Sequence, residues 1–158
     1  MYNIYIIHGP SCAGKSTFLS QQKGKLIELD DISNQLAKEL KPVNTIIKSQ
    51  VRVLLDINHQ DDTYITASFL PQFHKNPAFW KSLELRVNYN IRHLLVLPRY
   101  HVYLYQVITR YFNEERIYTD QQVRMYKFMS KNSYLNLFHY TRLYFEYYFH
   151  KRHYECVV

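Results

Sequence analysis

Glycine is nearly missing from this 158-residue chain: there are three, Gly9, Gly14 and Gly24, and two of them share one short stretch. A chain this poor in glycine spends it where the backbone needs a conformation that other residues resist. Cysteine is scarcer still. Cys12 and Cys156 make neither a disulfide framework nor a cysteine-rich metal cluster, and the histidines show no metal-ligand spacing. A disulfide-stapled secreted scaffold and a zinc finger are thereby excluded, and a reducing compartment is expected. No apolar run approaches the roughly 20 residues of a membrane span, so no membrane partner is expected. The first residues read directly as strand, without a charged-then-apolar leader pattern, and the expectation is a cytoplasmic protein. Acids are outnumbered, 13 against 20 Lys and Arg, and the net charge of +7 attracts anionic ligands or polyanions.

What remains is an ordinary globular composition, 47% hydrophobic, that predicts a single domain over 1–158. Strand patterns at 2–8, 25–30, 63–70 and 93–97 alternate with helical patterns at 15–23, 31–40, 43–58, 76–91 and 101–112. In the fourth helix Trp80, Leu83, Val87 and Ile91 fall on one face. Residues 110–120 are polar and charged and read as a lid. Residues 121–151 read as helix crowded with aromatics, and the closing "YECVV" as a short last strand. Alternation of strands and helices predicts an α/β domain with a parallel sheet and a helical C-terminal region.

The stretch "IYIIHGPSCAGKST" carries the strongest signal. Gly9, Gly14, Lys15 and Ser16 match G-x-x-x-x-G-K-[ST], with a strand before and a helix after. In that pattern loop amides and the helix N-terminus surround phosphates. Candidate nucleotide-binding residues are Gly9, Ser11, Cys12, Ala13, Gly14, Lys15, Ser16 and Thr17. Lys15 reaches the β- and γ-phosphates and Ser16 ligates Mg²⁺. The wording "GPSCAGKST" resembles the loop of the P-loop kinases, specifically over residues 4–17 and diffusely beyond residue 40. The resemblance implies a three-layer P-loop NTPase fold with a parallel sheet and a helical lid. It also implies ATP and Mg²⁺ as cofactors, and transfer of the γ-phosphate to a nucleoside, a nucleotide or a nucleic-acid 5′-hydroxyl. A nucleotide-binding regulatory module with slow hydrolysis and a small-molecule phosphotransferase are the alternatives.

Asp30 and Asp31 follow the second strand, at the end of the sheet where α/β proteins bind ligands. Either suits a base for an acceptor hydroxyl, and Asp31 also suits a helix N-cap. The family resemblance supports the catalytic role. Neither later strand, "TYITASFL" or "HLLVLPR", ends in an acid, and Asp61 and Asp62 precede the third strand, at the wrong end. That disfavours a GTPase switch or motor ATPase.

Phosphoryl transfer needs cations around the migrating group. Arg110 and Arg116 flank the polar stretch, with Arg124 beyond and Arg99 after the fourth strand. At the family's other lid-helix arginine position stands Gln106. In the tail, Tyr134, Leu137, Phe138, Thr141, Phe145, Tyr148 and Phe149 read as core. Tyr140, Tyr144 and Tyr147, with Arg142, Lys151, Arg152 and His153, read as a basic aromatic surface for a homo-oligomer contact or a nucleic-acid strand.

Overall fold

The computed structural model describes residues 2–29, 36, 39, 41–57, 61–66, 70–87, 90–114 and 137–158. Five short strands form one sheet: β1 (Ile4–His8), β2 (Lys25–Glu28), β3 (Thr63–Thr66), β4 (Ile91–Leu95) and β5 (Glu155–Cys156). Their order is β2-β3-β1-β4-β5, and every neighbouring pair is parallel. Parallel neighbours need crossover connections. The described helices are α1 (Lys15–Ser20), α2 (Val43–Leu55), α3 (Pro77–Val87), α4 (Tyr100–Glu114) and α5 (Leu137–Phe149). A 3₁₀ turn, Lys151–His153, leads into β5.

β1 is the middle strand, and its apolar run follows from burial on both faces. Ile4 and Ile6 pack with Ile65 and Leu29 against Leu54 of α2 and Trp80, Leu83 and Val87 of α3. On the opposite face Ile7 and Leu94 meet Leu19 of α1, Tyr103 and Val107 of α4, and Tyr140 and Tyr144 of α5. Helices therefore cover both faces of a parallel sheet, the expected α/β layering. β2 is an edge strand, which explains why Lys25 and Leu26 are exposed within it. At the other edge Arg92 of β4 donates to both Glu155 carboxylate oxygens, at 2.7 and 2.8 Å from Nη2.

Several boundaries differ from the sequence reading. β2 stops at Glu28, two residues short of expectation; β3 is strand over Thr63–Thr66, and residues 67–69 of the strand expected at 63–70 lie outside the described residues. Ile91 belongs to β4 rather than to the stripe of α3, because its backbone pairs with Ile4 of β1. The polar stretch expected to open a lid at residue 110 is helix through Glu114; residues 115–120 lie outside the described residues. The same holds for most of the helix expected at 31–40 and for 121–136.

The largest correction concerns the aromatic tail. Tyr140, Tyr144 and Tyr147, expected at the surface, are buried, whereas Tyr148 and Phe149, expected in the core, are 42% and 71% exposed. Tyrosine is a good core residue when its hydroxyl finds a partner. Tyr144 donates to the Pro98 carbonyl at 2.7 Å, and the Tyr103 hydroxyl donates to the Tyr140 carbonyl at 3.3 Å. Burial raises the Tyr144 and Tyr103 hydroxyl pKa values, which keeps both groups protonated as donors. Tyr144 on the inward face of α5 thus finds its hydroxyl partner just past the end of β4.

Candidate functional site

The loop between β1 and α1 stands at the carboxyl end of the middle strand. The chain runs outward from β1 to β2, returns through β3, then crosses to β4, so connections diverge around this point. Such a divergence opens the usual ligand crevice of α/β sheets. Loop geometry follows from its glycines. Gly9 has φ 155° and Gly14 φ 93°. A Cβ at Gly9 would lie 2.5 Å from the Val96 carbonyl oxygen, so the loop is pressed against the end of β4. Cys12 has φ 70°, a left-handed conformation uncommon outside glycine. Left-handed residues at Cys12 and Gly14 are the kind of backbone from which anion nests are built, and the Ala13 amide closes a turn onto the Pro10 carbonyl at 3.1 Å. Since α1 has only six residues, loop amides and Lys15 must supply most of the positive potential.

Lys15 folds back over the loop and donates from Nζ to the Gly9 carbonyl at 2.7 Å. Ser16 is exposed, and its hydroxyl donates to Glu28 Oε1 at 2.5 Å. Ala13 is buried beneath the loop, while Ser11 and Cys12 are half-buried and Thr17 is exposed. The residues of the sequence motif are therefore gathered at one place.

Glu28 is the residue that sequence reasoning missed. Because β2 ends at Glu28, this carboxylate, and not only the aspartates after it, belongs to the sheet end. No local pattern announced it, since "KLIE" has no polar–apolar alternation that would mark Glu28 out. Asp30 and Asp31 lie outside the described residues; Leu29, which leads to them, is buried. Arg116 and Arg124 also lie outside them. Arg110 is placed on α4 by its backbone, with its side chain outside what is described. Arg99 is exposed just after β4. Asp62 is at the opposite end of the sheet, as expected, where it accepts from the Asn3 amide at 2.9 Å.

Beneath the loop lies a second group that periodicity did not announce. His8, the last residue of β1, is buried and shares a hydrogen bond with His93 of β4 at 2.9 Å between Nε2 and Nδ1. Phe73 stacks on the His93 ring at 3.9 Å, and Trp80 and Tyr154 meet the His8 ring edgewise. Burial, with His93, Lys15 and His74 nearby, holds His8 well below the usual histidine range. Burial alone brings His93 down to about 4. Nearby, His74 Nδ1 lies 2.6 Å from the Tyr154 hydroxyl, whose pKa burial pushes up to about 12. Burial keeps both rings of the His8–His93 pair neutral at physiological pH, so the pair adds no charge beside Lys15.

Among the described residues, no three His, Cys, Asp or Glu side chains converge into a metal site of their own. No described helix is long and apolar enough to cross a membrane. No family model matches the chain, and no curated protein matches it significantly.

Proposed function

We propose that the chain is a P-loop phosphotransferase that binds ATP with Mg²⁺ at the loop over residues 9–16 and passes the γ-phosphate to an acceptor hydroxyl. The observation that carries this reading is the convergence of Lys15, Ser16 and Glu28 on a glycine-bounded loop at the sheet end. Mg²⁺ is commonly held by one or two carboxylates together with substrate phosphates, rather than by an all-protein cage. Ser16 and Glu28 supply the hard oxygen donors such an ion takes, so the residues present fit it. Bound there, the ion would neutralise charge on the β- and γ-phosphate oxygens.

The remaining work falls to the chain. Loop amides cradle the phosphates, and Lys15 exchanges its contact with the Gly9 carbonyl for phosphate oxygens. The acceptor oxygen forms a bond to the γ-phosphorus as the bond to the β-phosphate oxygen breaks, and ADP leaves. The acceptor proton goes to the carboxylate of Asp30 or Asp31, which follow β2 in the sequence after Leu29. Arg110, with Arg116, offers cations to the transferring group. A nucleoside, a nucleotide or a nucleic-acid 5′-hydroxyl is the acceptor favoured by the aspartate pair and the +7 charge.

Supplying γ-labelled ATP with a panel of nucleosides, nucleoside monophosphates and 5′-hydroxyl oligonucleotides tests the reading. Label should move to one class and be lost in Asp30→Asn or Asp31→Asn. Tight ATP binding with label moving to none of them would instead support a regulatory nucleotide-binding module.

A further inference from the structure

Thr66 is the last described residue of β3 and is 1% exposed, yet its hydroxyl has no hydrogen-bond partner. Buried hydroxyls without partners are destabilising and uncommon in native proteins. Its position is fixed by two registers. Thr66 pairs with Glu28 on β2 and with Ile7 on β1. Paired residues of neighbouring parallel strands lie about 4.8 Å apart with side chains on the same face. On that face Glu28 accepts from Ser16, and Ile7 packs with Ala13 and Leu19 under the loop and α1. The idle hydroxyl therefore stands one strand in from the Glu28 carboxylate, on the side of the loop.

We propose that Thr66 is a positioning residue of the cation site: its hydroxyl holds a water of the divalent ion's hydration shell. The inference rests on the reading of the loop as a Mg²⁺–ATP site. It also explains the missing acid at the end of β3. An aspartate at position 66 would put a buried carboxylate directly opposite Glu28, and like charges directly opposite on adjacent strands repel. A neutral hydroxyl both donates and accepts, so it can orient a metal-bound water without that repulsion. The carboxylate sits on β2 and the neutral group on β3. One negative charge serves the ion, and the hydroxyl remains idle when no ion is bound.

Thr66→Val removes the hydroxyl at nearly constant shape and suits a strand. Melting of the ligand-free variant should rise by about 2–4 °C, because an unsatisfied buried group is gone. Half-saturating Mg²⁺ for binding of a fluorescent ATP analogue should rise about tenfold, as for other groups that support metal ligands indirectly. Thr66→Ser should restore the wild-type Mg²⁺ dependence. A Val variant with unchanged Mg²⁺ dependence, beside a wild type that binds the analogue with Mg²⁺, overturns this proposal alone. A wild type with no Mg²⁺-dependent binding overturns the proposal together with the reading it rests on.

Discussion

The histidine pair beneath the loop makes the fold sensitive to mild acid, by an amount that follows from its burial. His93 titrates at about 4 in the folded protein, against 6.5 for an ordinary histidine. A depressed value means that the unfolded chain binds the proton first. The contribution is therefore complete above pH 6.5 and is lost as pH falls toward 4. At pH 5.5 the unfolded chain carries this proton and the folded chain does not, a difference on the order of 1–2 kcal/mol from His93 alone. His8 is held well below its usual value too and adds in the same direction. For a chain of this size a change of that order corresponds to a fall of about 2–8 °C in melting temperature. Calorimetry at pH 7.5 and 5.5 measures it, in a range where carboxylates stay ionised. His93→Asn keeps a hydrogen-bonding partner for His8 but does not titrate. Its baseline stability should drop through lost packing with Phe73, while the decline between the two pH values becomes shallower. An equal decline in wild type and variant would refute the assignment of acid sensitivity to this pair.

Other outcomes follow from single contacts. Glu28→Gln should change stability by less than about 1 kcal/mol, since the contact is near the surface, yet raise half-saturating Mg²⁺ for ATP binding about tenfold or more; a Mg²⁺ titration decides. Gly9→Ala brings a methyl against the Val96 carbonyl and should cost roughly 2–4 kcal/mol in urea unfolding; near-native stability would show a looser loop. Tyr144→Phe should cost about 1–2 kcal/mol by losing its bond to the Pro98 carbonyl. Phe149→Ser, on the exposed face of α5, should stay within about 0.5 kcal/mol, and the reverse order of these two would contradict the helix orientation.

Local signals carried much of the architecture. β1 was legible because a strand buried on both faces must be apolar throughout, and the loop because its glycines and Lys15 are contiguous. α3 was legible from the proline at its start and the Trp80, Leu83, Val87 stripe. Glu28 was not, because its role depends on where β2 ends and on Ser16 lying opposite, which no local pattern encodes. The histidine pair escaped for a similar reason: His8 and His93 come together only through the pairing of β1 with β4. The tail misled because tyrosine and phenylalanine occupy nearly every side of α5. With apolar residues all round, a 3.6-residue period does not pick the inward face. The Pro98 carbonyl and other distant partners for hydroxyls pick it instead.

Equilibrium binding of ATP to wild type and Lys15→Ala, with and without Mg²⁺, tests the central claim most directly. Wild type should show saturable binding that Mg²⁺ strengthens. Loss of the Lys15 contact to phosphate should weaken it by about 10–100-fold, as expected for a charge-assisted hydrogen bond of about 1.5–3 kcal/mol. Equal affinity in the two proteins, or no saturable binding in wild type, would contradict the account.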